Sequence, residues 1–372
     1  MLIAAEYCWL HDETGQRAGR GSLHPDMAAE ITDGRVTALR PLGRDTPDRR
    51  VHVLMPGCAD LQVNGGGGVM LNSDPTPAGM RAIRAAHARL GTTRIMPTVI
   101  TDHPEVTEAA ARAAIACKDD PGILGLHIEG PHINPIRKGT HDPALIRPLD
   151  GRMMDLLADL RTAGVRVILT LAPELADPAD LARIRAMGVV ISAGHTMATA
   201  AQARAALAQG VGMFTHLFNA MPQMSSREPG VIAAAILSDA WCGIIADGIH
   251  VDWDMLRIAL AARPHPDRCF LVSDAMATVG GPDSFTLYGH EIHVRDGRLV
   301  NAGGALAGAH IDMVTSLANI HRHAGVPLEQ AIAMATDIPC AAIGAPPVRM
   351  TGGIAIKELI ALDADLALTP LG

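Results

Sequence analysis

Two histidines and two carboxylates stand out by where they fall. Glu129, His195, His216 and Asp274 each close a short apolar run that is followed by a segment of helical spacing. Two imidazoles and one carboxylate can hold a divalent cation and leave one position for water, whose pKa the cation lowers. A second carboxylate beside that water can take its proton and later hand it to a leaving amine. The chemistry is then metal-assisted hydrolysis, with Glu129, His195 and His216 as ligands and Asp274 as the general acid/base. A single histidine at a strand end is more often a satisfied polar residue than a ligand. Four such residues in one pattern are harder to place by accident.

The neighbouring run ends supply further polar residues. The first gives Asp60, Gln62 and Asn64, the fourth Glu174, the sixth Asn219 after His216, and the seventh Asp247 and His250. Gln62 and Asn64 are counted with the substrate-facing residues. His127 lies two residues before Glu129, on the same strand face but one layer deeper, and reads as barrel filling or as a support behind the ligands. His11, His24, His87, His103, His265, His321 and His323 read as packing or surface residues. No Lys-Ser/Thr pair follows the Gly65–Gly68 run, so it is no phosphate-cradling P-loop but a turn beside the site.

These residues must be positioned by a repeating unit. Short apolar runs fall at 53–58, 94–99, 123–128, 165–171, 189–193, 212–216, 243–247 and 269–273. Helical spacing falls near 77–90, 104–116, 150–163, 178–186, 199–208, 230–238, 252–262 and 309–323. Continuous apolar strands alternating with helices predict a parallel sheet covered on its faces, and eight units predict a closed (β/α)₈ barrel. A doubly wound open sheet is the competing α/β architecture, but no GxGxxG follows the first run. In a barrel, the strand C-termini share one rim, which brings Glu129, His195, His216 and Asp274 together. The expected division is a barrel over 53–345 and a small β domain built from 1–52 and 346–372. An inserted hairpin is expected over 284–301, turning at Asp296-Gly297, with another hairpin turn at Asp33-Gly34.

Composition narrows the class. The 372 residues are 48% apolar, enough for a large core, but only 2% aromatic, so base-stacking platforms are scarce. A net charge of -8 without a basic run argues against nucleic-acid and membrane partners and requires any anionic substrate to find a local cationic pocket. Six scattered cysteines without a CxxC pair read as reduced thiols. Glu6 and Asp12 interrupt any leader-like apolar stretch, and no run is long enough to span a bilayer. A cytoplasmic location is expected.

The segments PGCADLQVNG (56–65), LHIEGPHINPIRKGTHDP (126–143), ISAGHT (191–196), THLFNAM (215–221), DGIHVD (247–252), LVSDAM (271–276) and GALAGAH (304–310) together resemble the amidohydrolase superfamily. Within it, they are similar to the N-acetylglucosamine-6-phosphate deacetylases. The resemblance implies one catalytic divalent ion, zinc or similar, on Glu129, His195 and His216, with Asp274 as general acid/base. It implies that His141 hydrogen-bonds the acetamide carbonyl and stabilises the developing oxyanion. It also implies contacts of Asn219 and Ala220 with the sugar phosphate, phosphate binding by Arg227 and His250, and a loop at Leu306 to Gly308 over the sugar. In this family the counterpart of His250 can reach in from a neighbouring subunit, so a homodimer is implied. Gln62 and Asn64 stand where many amidohydrolases carry His-x-His, and the fourth run offers no Lys for a carbamylated bridge. Both argue for one metal. Residues 1–50 and 284–301 resemble the family loosely, and Glu358-Leu359 departs from a Gly-rich tail. The expected reaction is deacetylation of N-acetylglucosamine 6-phosphate. Competing readings are another N-acetylhexosamine phosphate such as the galactosamine epimer, an N-acyl-amino-acid or cyclic-amide hydrolase, and a retired hydrolase serving as an interaction module.

Overall fold

The computed structural model describes residues 1–11, 20–300, 304 and 306–371. Asp12, the last residue of the 284–301 insertion, Ala305 of the 304–310 segment and the final residue of the tail lie outside the described residues.

Eight parallel strands lie side by side in chain order: Cys58–Val63, Thr92–Ile100, Leu126–Glu129, Val167–Leu171, Val190–Ala193, Met213–Phe214, Trp241–Ile244 and Cys269–Leu271. The first and last meet through Ala275, whose carbonyl accepts from the backbone N–H groups of Asn64 and Gly65. The result is the expected barrel. Its strands are buried along their length, which is why they read as unbroken apolar runs rather than alternating ones.

Helices follow most strands, and their starts carry the expected chemistry. Thr76, Asp150, Asp177, Thr199, Asp252 and Asp312 each accept from a backbone N–H of the first turn, and Thr199 forms a capping box with Gln202. The helix expected at 309–323 begins later, at Met313, because Leu306–Ala309 is a strand. Two further helices, Leu328–Ala335 and Asp337–Ala342, escape the sequence reading. Ala331 through Ala335 are all buried. A segment apolar on every side lacks the one-sided stripe that betrays a surface helix.

A second sheet orders Leu368–Thr369, Leu359–Leu362, Arg49–Pro56, Leu2–His11, Gly21–Thr32 and Arg35–Pro41. The expected boundary at 52/53 falls inside one of its strands. Arg49–Pro56 pairs with Leu2–His11 on one side and Leu359–Leu362 on the other. Val53 and Met55 pack into the barrel core while Leu54 joins the small domain's own core, so the run is apolar on both faces. The first barrel strand starts only after Gly57, where a Cβ would sit 2.2 Å from Thr93 Cγ2.

Both Asp-Gly turns form as expected. Asp33 and Gly34 take φ of 51° and 69°, and Asp296 and Gly297 take 50° and 74°, the left-handed pair of a two-residue hairpin. The insertion is larger than a hairpin. Ser284–Leu287, His290–Arg295, Arg298–Val300 and Leu306–Ala309 make a four-stranded antiparallel sheet. It is tied to the barrel by the Ala309 N–H donating to the Asp274 carbonyl. All six cysteines are free and buried. Among the described residues no helix is long and apolar enough to cross a membrane.

Candidate metal centre at the barrel mouth

Glu129 closes the third barrel strand. His195 follows the fifth by two residues, His216 the sixth by two, and Asp274 the eighth by three. His195, His216 and Asp274 hold φ of 48°, 30° and 51°, a region non-glycine residues seldom adopt. Such backbone costs about 1–3 kcal/mol each and persists where surrounding structure imposes it. Here it turns each side chain off its strand and into the barrel mouth.

The three expected ligands converge. Glu129 Oε1 lies 3.1 Å from His195 Nε2 and 3.0 Å from His216 Nε2, and the two Nε2 atoms are 3.1 Å apart. Metal–ligand bonds of roughly 2.0–2.1 Å in a tetrahedron put ligand atoms about 3.3 Å from each other, so this triangle fits one cation. His195 Nδ1 donates to the Arg137 carbonyl at 2.7 Å, which leaves Nε2 as a lone pair aimed at the centre. Burial alone would raise the Glu129 carboxyl and lower the His216 imidazole. Instead the contacts with His195 and His216 hold Glu129 well below its usual range, and Glu129 lifts His216 above its own. Both shifts express one buried attraction, between the Glu129 carboxylate and the imidazoles against it. Ligand atoms of Glu129, His141 and His195 also lie within 4.8 Å of one another, a looser group than the first.

Asp274 is oriented rather than loose. Its Oδ1 accepts from Asn64 Nδ2 at 2.7 Å and Gln62 Nε2 at 3.1 Å. Burial, and then the charge of Glu129, push its carboxyl up to about 6. Burial, and then the neighbouring His195, push His141 down to about 3, so this imidazole is neutral.

A cavity of about 230 Å³ opens over the cluster, and Asn64, Glu129, His141, His195, His216, Asn219, Ala220, His250, Asp274 and Leu306 all line it. Two expected residues do not. Gln62 is buried behind the carboxylates, its Nε2 donating to Glu129 Oε2 at 3.2 Å as well as to Asp274, so it faces the acids and not a substrate. Arg227 stands on the exposed stretch 223–228, outside the lining. His250 lines the cavity of its own chain, with its Nδ1 2.6 Å from Asp247 Oδ2. That contact outweighs burial and holds the Asp247 carboxyl below its usual range. His127 is buried as barrel filling, 2.7 Å from Thr170 Oγ1.

Two contributors have no role in the sequence reading. Glu174 accepts from Asn134 Nδ2 at 3.0 Å and the Met197 N–H at 2.6 Å, bracing the segments on either side of His195. Thr101, just past the second barrel strand, lies 2.6 Å from His141 Nδ1 through its hydroxyl. Its signal was available, because every strand end is a candidate position and the second is the one assigned nothing.

The chain matches the model of the amidohydrolase family over residues 53–348. It is 38% identical over 347 residues to an N-acetylgalactosamine-6-phosphate deacetylase of Shewanella sp. (strain ANA-3), covering 88% of this chain and 85% of that protein. It is 35% identical over 330 residues to an N-acetylglucosamine-6-phosphate deacetylase of Haemophilus influenzae, covering 86% of each. Among solved structures it resembles the N-acetylglucosamine-6-phosphate deacetylase from Pasteurella multocida, with a TM-score of 0.84, 30% identity and coverage of 99% and 97%. A variant of the Mycobacterium smegmatis enzyme in complex with N-acetyl-D-glucosamine-6-phosphate gives a TM-score of 0.85 at 30% identity, covering 99% of this chain and 96% of that one.

Proposed function

Because this chain belongs to the amidohydrolase family, we propose that the cavity over Glu129, His195 and His216 hydrolyses the acetamide of N-acetylglucosamine 6-phosphate. The products are glucosamine 6-phosphate and acetate. The observation that carries this reading is the ligand triangle with Asp274 fixed beside it by Gln62 and Asn64.

Glu129, His195 and His216 would hold a divalent cation, which would supply a Lewis acid able to lower the pKa of water near neutral pH. Zinc suits two imidazoles and one carboxylate. Asp274 has Oδ1 occupied by two amide donors, which leaves Oδ2 to take the proton of the attacking water. The same oxygen returns that proton to the nitrogen, which departs as the amine. His141 donates to the amide carbonyl oxygen, where negative charge grows as water adds. Asn219 and Ala220 contact the sugar, Leu306 covers it, and Arg227 and His250 bind the phosphate, the arginine from the exposed stretch past Ala220. An Arg fork matches phosphate oxygens. Asn64 lines the cavity on the substrate's side. A homodimer is the proposed assembly, and six free buried thiols support a reducing, cytoplasmic setting.

The galactosamine epimer is the second reading, favoured by the 38% identity to a relative named for it. Acetate release from a panel of N-acetylglucosamine, N-acetylgalactosamine and their 6-phosphates decides. The proposal expects the highest kcat/KM on N-acetylglucosamine 6-phosphate. A preference for the other phosphate reassigns the epimer, and equal turnover of the unphosphorylated sugars removes phosphate recognition.

A further inference from the structure

Resting on the reading of His141 as the donor to the carbonyl oxygen, we infer that Thr101 is a positioning residue that sets which nitrogen of His141 carries the proton. An imidazole that donates to a carbonyl oxygen must hold its proton on the nitrogen facing the cavity. His141 has Nδ1 occupied by Thr101 Oγ1 at 2.6 Å, so Nε2 is left to face the cavity that the residue lines. The contact has two senses. Either the hydroxyl donates to Nδ1 and the ring proton sits on Nε2, or Nδ1–H donates to the hydroxyl and Nε2 is a bare lone pair. Only the first makes His141 a donor.

The surroundings of the hydroxyl choose between them. Thr101 is 1% exposed, and among the described residues His141 Nδ1 is its hydroxyl's partner. If Nδ1–H donated, the hydroxyl hydrogen would be buried with no acceptor. An orphaned buried donor costs more than an acceptor left short of a partner. The hydroxyl therefore donates, and the ring proton is placed on Nε2.

Thr101 is itself held from two sides. Its carbonyl accepts from the Tyr288 hydroxyl at the turn between Ser284–Leu287 and His290–Arg295. A Cβ on Gly130, the residue after the metal-binding Glu129, would lie 2.3 Å from Thr101 Oγ1, so the hydroxyl fits against bare backbone. The inserted sheet thus has a stake in catalysis. It clamps the backbone of the residue whose hydroxyl orients the donor.

Two measurements test this on the zinc-loaded, full-length protein. In ¹⁵N-histidine-labelled protein, with the His141 signals identified by their loss in His141→Gln, Nδ1 should be unprotonated and Nε2 protonated. Thr101→Val, the same shape without the hydroxyl, should lose that preference. A wild-type ring protonated at Nδ1 overturns the inference, whatever the enzyme's activity. In kinetics, Thr101→Val should lower kcat about 10²-fold, as loss of one oxyanion donor does. KM and zinc content should stay near wild type, and Thr101→Ser should restore most of the rate. The deficit should shrink on the N-trifluoroacetyl substrate, whose carbonyl needs less help. A Val variant with wild-type kcat overturns the inference, as does one that Ser does not rescue. A wild-type enzyme releasing no acetate from any phosphorylated substrate refutes the functional reading instead, and the tautomer measurement still decides the role of Thr101.

Discussion

Replacing Asp274 with Asn separates proton transfer from everything else this residue does. Its Oδ1 accepts the amides of Asn64 at 2.7 Å and Gln62 at 3.1 Å, and an Asn side chain keeps that oxygen and both bonds. The other oxygen becomes an amide NH₂, which cannot take a proton. The fold and the ligand triangle should therefore survive, and the loss should fall on the chemical step alone. A single acid–base role is worth about 10²–10⁴-fold, or roughly 3–5 kcal/mol at 1.36 kcal/mol per tenfold. Asp274 serves both the attack and the departure of the amine, so kcat should fall at the upper end of that range while KM changes little. The assay is acetate release, with metal per chain measured on the same preparation. A variant that keeps most of its kcat refutes the assignment. One that loses its metal shows Asp274 to be chiefly a ligand, and the base must then be sought elsewhere on the rim.

Metal analysis should approach one divalent ion per chain, with activity lost on chelation. Glu129→Gln should bind the ion far more weakly, and two tightly held ions both needed for turnover would contradict the single triangle. Arg227→Ala should raise KM steeply for the phosphorylated sugar and little for the free one. Equal effects would remove Arg227 from phosphate binding. If His250 acts across a dimer, mixing inactive His250 and Asp274 variants should recover activity, and none should return if His250 serves its own chain's cavity. Asp60, buried and pushed up to about 7 from 3.8, favours the folded state in its protonated form. Its stabilisation is present below about pH 4 and lost as pH rises through 7, up to roughly 4 kcal/mol. The Tm gap between wild type and Asp60→Asn should accordingly fall from pH 5 to pH 8. A flat gap would show that Asp60 does not titrate there.

The barrel was legible because its strands are buried along their length and each ends where a polar residue is needed. That placed Glu129, His195, His216 and Asp274 on one rim without any contact being visible. Boundaries were less legible where burial on both faces removes the alternation that marks one sheet from another. Val53 to Met55 belong to the small sheet yet read like a barrel strand. The helix Leu328–Ala335 ends in five consecutive buried apolar residues, too short and too uniform a run to show a one-sided stripe. Side-chain direction is the other gap. Gln62 and Asn64 both follow from strand position, but only three dimensions separate the one that braces carboxylates from the one that lines the cavity. Arg227 carries the right chemistry in sequence, and its exposed place is set by the turn it rides on. Thr101 escaped because a lone hydroxyl at a strand end has no meaning until its partner is known.

The six-stranded sheet draws strands from both ends of the chain, and this bears on how the protein is made. Arg49–Pro56 leaves the ribosome well before its neighbour Leu359–Leu362, which lies about 300 residues later. At synthesis rates of roughly 5–20 residues per second, that interval is about 15–60 s. Throughout it, one edge of Arg49–Pro56 offers unpaired backbone groups along a strand apolar on both faces, the kind of edge that recruits a strand from another chain. A nascent chain that stalls before Leu359 keeps that edge open, and on a polysome the nearest strand able to cover it belongs to another unfinished copy.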